Sequence, residues 1–250
     1  MTVGASSATP APQAHSSVVL ITGFEANDPP HRNTSAVLVE ALGAHQTELQ
    51  RACGGIEVRT RLMPGDTAAL TGSLEAALRE QPRPTHALLL GQAPGRNRVT
   101  LERFATNLRD FGTSDRHGNL PRDVPVVAGG PTAYHSTWPK QKRLVEALNA
   151  AGIPAAMSND AGNHLCNQLL YLALDAAARP DQSCVITFVH VPVLPQQVID
   201  REPLTMRHSN CPYLPLPMLI EAVVQLLSVT FLPNDDQAHA RLKCQANDRQ

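Results

Sequence analysis

The chain has 250 residues, of which 17% are charged, and its formal net charge is −1. This length allows one compact domain with a large core, while the charge offers no basic field for nucleic acid or an anionic membrane. The longest apolar runs, 87–90 and 185–189, are far shorter than the ~20 residues that a membrane span needs. We therefore expect neither nucleic acid nor a membrane as a partner.

The N-terminal residues 1–17 are rich in Ala, Ser, Thr and Pro, without a basic start or an apolar centre. This composition argues against a secretory signal and predicts a disordered leader. The cysteines are odd in number and have no metal-site spacing, so neither a disulfide framework nor a zinc site is expected. A cytoplasmic protein with free thiols fits this pattern best. The five cysteines are Cys53, Cys166, Cys184, Cys211 and Cys244.

Short apolar runs alternate with amphipathic segments along the chain, which predicts an α/β fold. The predicted strands cover residues 18–21, 56–63, 86–90, 154–158 and 183–191. The predicted helices cover 34–43, 67–80, 140–151, 162–178 and 214–229, and a long loop covers 92–123. A mostly parallel sheet with helices on both faces follows from this alternation. We expect one domain over 18–231 and a polar tail over 232–250.

Reactive side chains follow or end three of the predicted strands, where ligands gather in α/β sheets. Cys166 is predicted in the first turns of its helix, where the dipole and free N–H groups favour a thiolate. His190 would act as its base and Glu102 would hold the imidazole, as in a catalytic triad. On these residues alone, a packed core thiol and a structural histidine are the commoner interpretations. The segments are residues 91–103, 158–167 and 188–192.

The same segments resemble the signatures of the pyroglutamyl peptidase I (pyrrolidone-carboxylate peptidase) family of cysteine peptidases. That family carries TGFEPFGG, GQAGGR followed by TPERVAIN, SNTAGxxxCN and FIHIP, in this order along the chain. A further family segment matches residues 130–134 with Ser136 and Thr137, and the resemblance extends over about 18–229. The matching stretches here are residues 22–25, 91–96, 101–107, 158–167 and 188–192.

The resemblance implies that Cys166 is the nucleophile, His190 the general base and Glu102 the carboxylate that orients the base. It further implies an α/β/α sandwich similar to the nucleoside phosphorylases, no metal and no cofactor. The implied partners are peptides with an N-terminal pyroglutamate, and further copies of the chain in a homo-oligomer, commonly a tetramer. By the same resemblance, the substrate-binding residues are Phe24, Asn27, Gln92, Thr113, His164 and Leu165.

The sequence departs from the family where the lactam ring should bind. Asn27 stands where the family has a second Phe, and His164 where an aromatic residue usually precedes the nucleophile. Gly112 replaces an arginine thought to stabilise the oxyanion, and Thr113 replaces an Ile. Losing one oxyanion donor typically lowers a rate by a factor of about 10²–10³. We therefore expect slow hydrolysis, unless Arg109 supplies the donor.

Three alternatives stay open from the sequence. Asp115 is a second candidate for the carboxylate that orients His190. A relative that binds a cyclic amide without cleaving it would keep the same residues as scaffold. A nucleoside phosphorylase is less favoured, because residues 91–96 lack the Lys-Ser/Thr that follows a phosphate loop, and Arg96 and Arg98 have no further basic cluster.

Overall fold

A computed structural model describes residues 17–26 and 31–232 of the chain. Asn27, Cys244 and nearly all of the predicted leader and tail lie outside the described residues. Within the described ranges, no helix combines the length and the hydropathy that crossing a bilayer requires.

The centre of the fold is a sheet of six strands in the order β2-β1-β3-β8-β4-β7. Strands β2, β1, β3 and β8 are parallel, whereas β4 runs antiparallel to β8 and parallel to β7. Strands β5 and β6 pair separately as a small antiparallel sheet. The strands are β1 Val18–Phe24, β2 Glu57–Met63, β3 His86–Gln92, β4 Val99–Glu102, β5 Phe104–Thr106, β6 Ala133–His135, β7 Ala155–Ser158 and β8 Val185–Val191.

Helices cover both faces of this sheet and make the predicted mostly parallel α/β sandwich, which is confirmed. Helices α1, α4 and α8 pack on one face, and α3 and α5 pack on the other. Along β3, Leu88 packs in the core on the side of α1, α4 and α8, and Leu89 packs in the core on the side of α3 and α5. Successive side chains on a strand point to opposite faces in this way. The helices are α1 Thr34–Ala44, α2 Gln46–Ala52, α3 Ala69–Arg79, α4 Gln141–Ala150, α5 Leu165–Ala177, α6 Pro195–Ile199, α7 Pro203–Met206 and α8 Leu216–Phe231.

The prediction of one continuous loop over 92–123 is wrong, because this stretch contains β4 and β5. Strand β4 has only four residues, too few to show a period, and pairing with both β8 and β7 stabilises it. Strand β7 also runs opposite to β8, so its carboxyl end does not lie with those of β3 and β8. The loop 159–164 must therefore bring the chain back to start α5. The short helices α2, α6 and α7 were not predicted.

Two cysteines and the single tryptophan lie in the core. Cys184 is buried, as predicted, and burial raises the pKa of its thiol to about 12. Cys53, predicted in a loop, is instead buried at the end of α2, where burial raises the pKa of its thiol to about 11. Trp138 packs inside the protein, and its Nε1–H donates to Thr230 Oγ1 at 3.0 Å.

We predict that Leu101→Ala lowers the free energy of unfolding by about 2–5 kcal/mol, since it leaves a cavity at a fully buried position of β4. The matched control is Leu120→Ala, because Leu120 is 44% exposed and its loss should change stability by less than about 0.5 kcal/mol. Urea denaturation of the two variants measures the difference. Equal stabilities would show that β4 is not an integral part of the sheet.

Candidate active site

The antiparallel pairing of β4 with β8 brings Glu102 to His190. Thr100 lies opposite His190 in the register, and Glu102 lies opposite Phe188. Residues two apart on a strand share a face, so the carboxylate and the imidazole are on the same side of the sheet. His190 Nδ1 lies 2.8 Å from Glu102 Oε1. With the proton on Nδ1 donated to the carboxylate, Nε2 is left as the basic nitrogen.

Both groups are buried, with Glu102 0% and His190 5% exposed. Burial lowers the pKa of His190, and the Glu102 carboxylate opposes this effect only in part. For Glu102, burial acts to raise the pKa, but the hydrogen bond and charge of His190, with smaller effects of Ser158 and Arg96, lower it overall. An ionised carboxylate beside a neutral imidazole is the resting state that these shifts favour.

Arg96, from the turn between β3 and β4, contacts the same carboxylate oxygen. Its Nη1 donates to Glu102 Oε1 at 2.5 Å and also to Thr100 Oγ1. Its Nη2 donates to the carbonyl oxygen of Asp160 at 2.9 Å. The guanidinium therefore joins β4 to the loop that precedes α5. The sequence predicted only a turn for residues 91–96, and the contact between Arg96 and Glu102 was not predicted. The arginine at the end of the GQAPGR stretch was the feature of the sequence that could have indicated it.

Cys166 is the second residue of α5, as predicted for the first turn of a helix. The first intrahelical bond of α5 joins Gln168 N to His164 O at 3.0 Å, so the N–H groups before Gln168 have no partner within the helix. These donors lie at the positive end of the helix dipole. They are suited to a developing negative charge near the sulfur.

Gly91 makes room for the sulfur. A Cβ at this position would lie 3.0 Å from Cys166 Sγ and 2.6 Å from Cζ of Phe188. Gly91 is in register with His190 on the adjacent parallel strand. Since paired residues of neighbouring strands point to the same face, the thiol lies on the His190 side of the sheet.

The thiolate expected at the start of α5 is not the resting form. Burial raises the pKa of the Cys166 thiol to about 12, the negative charge of Glu102 raises it further, and Arg96 acts to lower it. Removal of water from the sulfur and a nearby carboxylate thus outweigh the helix N-terminus. These shifts favour a neutral thiol and a neutral imidazole on the same face of the sheet.

The structure describes five of the six predicted substrate-binding residues, and they do not all lie on the Cys166 side of the sheet. Phe24 and Leu165 are buried in the core on the α5 side of the sheet. Gln92 follows Gly91 directly, and its side-chain oxygen Oε1 accepts from Thr34 N at 2.6 Å and from Gln197 Nε2 at 3.0 Å. Its oxygen therefore anchors α1 and α6 to the end of β3.

The segment 111–113 is tied to the start of the nucleophile helix. The imidazole of His164 stacks on the ring of Phe111 with centroids 3.9 Å apart, and His164 Nε2 donates to Thr113 O at 2.9 Å. Phe111 is fully buried, whereas the Thr113 residue is exposed. Burial also lowers the pKa of His164. A neutral, stacked imidazole thus takes the place of the expected aromatic side chain.

Two residues were alternatives from the sequence, Asp115 for the carboxylate that orients His190 and Arg109 for the oxyanion donor. Both make other contacts in the structure. Asp115 accepts from Thr67 N at 2.9 Å and from the backbone and side chain of Asn119, so it stabilises the turn 115–119 and the approach to α3. His190 bonds to Glu102 instead. The guanidinium of Arg109 donates to Pro125 O from Nε at 3.2 Å and from Nη2 at 2.9 Å. Neither residue is in contact with the Cys166–His190 pair among the described residues.

A family model described as pyroglutamyl peptidase matches residues 17–230. The chain belongs to this family. Pyrrolidone-carboxylate peptidase of Pyrococcus furiosus is 36% identical over 183 residues, which are 73% of this chain and 84% of the relative. The enzyme of the same name from Pectobacterium atrosepticum is 34% identical over 220 residues, 88% of this chain and 95% of the relative. The family predicted from the motifs is confirmed.

Solved structures share the fold. A mutant pyrrolidone carboxyl peptidase of P. furiosus superposes with a TM-score of 0.76 at 33% identity, covering 86% of this chain and 98% of that chain. Pyroglutamyl peptidase I of Bacillus amyloliquefaciens gives a TM-score of 0.74 at 30% identity, covering 90% and 98%. The similarity therefore extends through the sheet and the helices that carry the candidate site.

We predict that Gly91→Ala destabilises the protein by about 1–3 kcal/mol and displaces the Cys166 sulfur, because the new methyl group overlaps Phe188 and Sγ. Thermal unfolding and the rate of Cys166 alkylation by iodoacetamide measure the two effects. Gly72→Ala is the control, since this α3 residue has no atom within 4 Å of an added Cβ among the described residues. A Gly91→Ala protein with unchanged stability and thiol reactivity would contradict the close approach.

Proposed function

We propose that this protein is a cysteine exopeptidase that removes an N-terminal pyroglutamate from peptides. The observation that carries the proposal is the buried Glu102–His190 pair on the same face of the sheet as the Cys166 sulfur. The family membership supports the substrate class, because relatives of this chain are named pyrrolidone-carboxylate peptidases.

In the proposed mechanism, His190 Nε2 takes the proton of the Cys166 thiol as Sγ attacks the acyl carbonyl. A base is needed for this step because burial raises the pKa of the Cys166 thiol. The Sγ–C bond forms, the C–N bond breaks, and the imidazolium returns the proton to the leaving amine. Water, activated by the same imidazole, then hydrolyses the thioester and restores the thiol. Glu102 keeps the imidazole in the required tautomer throughout.

The oxyanion would be held by backbone N–H groups at the start of α5, in the absence of an arginine at position 112. An added Cβ at Gly112 meets no atom within 4 Å among the described residues, and its backbone is not in the left-handed region. A Cβ is therefore accepted at this position without strain. Arg109 is held at Pro125 O instead, so we propose that one charged donor of the family mechanism is missing here.

The setting of the reaction is also part of the proposal. We propose a cytoplasmic location, because no cysteine pattern for disulfides occurs in the sequence. We further propose that copies of the chain form a homo-oligomer, following the family resemblance. The proposed single catalytic domain spans 18–231, and neither a metal nor a cofactor enters the mechanism.

The decisive experiment compares hydrolysis of pyroglutamyl-aminocoumarin with that of prolyl-, alanyl- and acetyl-aminocoumarin. We expect cleavage of the pyroglutamyl compound, unchanged by EDTA, and a loss of at least about 10³-fold in Cys166→Ser. Cys211→Ser is the matched control, since Cys211 is also a half-buried free thiol and should keep full activity. Circular dichroism checks that both variants fold.

Binding of the pyroglutamyl compound without cleavage would favour a non-catalytic relative and overturn the proposal. Substantial activity in Cys166→Ser, or activity that requires a metal, would overturn the thiol mechanism.

We predict that Gly112→Arg raises the rate by up to about 10²-fold, since it adds a charged donor for the oxyanion. The gain should be in kcat more than in KM, because the interaction is realised mainly in the transition state. Gly112→Met fills the same space without a charge and should leave the rate nearly unchanged. Steady-state kinetics on the three proteins make the comparison. A slower Gly112→Arg would mean that another group already occupies the oxyanion site.

A further inference from the structure

We propose that Arg96 is a positioning residue of this site, which fixes the Glu102 carboxylate toward His190 and offsets its charge at Cys166. The inference rests on the proposed function in one respect, namely that Cys166, His190 and Glu102 carry out the reaction. It adds a fourth residue, whose guanidinium acts through the carboxylate and does not contact the substrate.

The geometry of Arg96 is that of a clamp between two segments. The Oε1 atom of Glu102 is shared by Arg96 Nη1 and His190 Nδ1. Because Thr100 Oγ1 also accepts from Nη1, the guanidinium is bonded to both side chains of β4 that face His190. The second nitrogen, Nη2, holds the carbonyl oxygen of Asp160 in the loop before α5. Arg96 thereby links the strand that carries the carboxylate to the loop that leads to the nucleophile.

The charges around His190 indicate what the Arg96 guanidinium contributes to the site. The charged groups that act on the imidazole are Glu102 from β4, Arg96 from the β3–β4 turn and Asp160 from the loop before α5. The Cys166 thiol of α5 lies on the same face of the sheet. Glu102 raises the pKa of both His190 and Cys166, and Arg96 lowers both. Without the guanidinium, the carboxylate that orients the base would also oppose the negative charge that forms on sulfur.

Arginine suits this task better than lysine. Its planar group donates from two nitrogens at fixed angles, whereas an ammonium group is a point charge on a flexible stem. Here one nitrogen serves the carboxylate and the other serves a backbone carbonyl. The Arg96 side chain is 28% exposed while Glu102 is fully buried, so the guanidinium also separates the carboxylate from solvent.

The test compares Arg96→Met and Arg96→Lys with the matched control Arg98→Met. Arg98 is exposed, and among the described residues its side chain bonds to the neighbouring Asn97 alone. We expect Arg96→Met to lower kcat by about 10- to 100-fold, the effect of a misplaced catalytic group, with a smaller change in KM. Arg96→Lys should recover part of the loss. Arg98→Met should behave as the parent.

The pH profile separates positioning from a general loss of structure. The acid limb of kcat/KM reports the pKa of His190 in the free enzyme. Because Arg96 lowers this pKa, Arg96→Met should move the limb to higher pH, and Arg96→Lys should leave it nearly in place. Glu102→Gln removes the group that raises the pKa and should move the limb to lower pH. In the Glu102→Gln background, Arg96→Met should have little further effect on kcat.

Two measurements do not need turnover and keep this inference distinct from the proposed function. The rate of Cys166 alkylation near pH 8 should fall in Arg96→Met, and NMR of the imidazole should show a weakened Nδ1–H bond to Glu102. If the parent cleaves no pyroglutamyl substrate but these changes occur, the proposed function fails and the role of Arg96 stands. The proposal for Arg96 would be overturned if Arg96→Met folds and leaves three quantities unchanged: the acid limb of the kcat/KM profile, the rate of Cys166 alkylation and the Nδ1–H signal of His190.

Discussion

The buried bond between Glu102 and His190 depends on one feature of the sheet, the insertion of a short antiparallel strand beside β8. A parallel neighbour of β8 would need a long crossover connection, whereas β4 follows β3 by a short turn and crosses back along β8. Glu102 thus reaches the imidazole from within a strand, and the backbone pairing with both β8 and β7 holds it in place. A loop residue would lack this rigidity.

Burial has opposite consequences for the members of the site. It favours a neutral imidazole at His190, which is the form that accepts a proton. It also keeps the Cys166 thiol protonated at rest, so the helix N-terminus stabilises charge only as the reaction creates it. In the proposed mechanism, proton transfer to His190 generates the nucleophile.

The residues that differ from the family form a connected structure in their own right. His164 stacks on the buried Phe111 and donates to the Thr113 carbonyl, so the segment that contains Gly112 is attached to the start of α5. The aromatic surface that the family motif supplies before the nucleophile is here provided by two rings from different segments.

The sequence by itself determined the family, the α/β sandwich and the candidate thiol and imidazole, because these follow from local runs of residues. Short apolar strands and the motifs around Cys166 and His190 are visible without contacts between distant segments. Only the tertiary structure decided the direction of β4 and β7, the choice of Glu102 over Asp115 beside His190, and the part played by Arg96. Strand direction and side-chain pairing depend on register between segments about 90 residues apart, such as Glu102 and His190 with a sequence separation of 88. The state of the Cys166 thiol likewise depends on burial by surrounding elements, which outweighs the effect of its own helix.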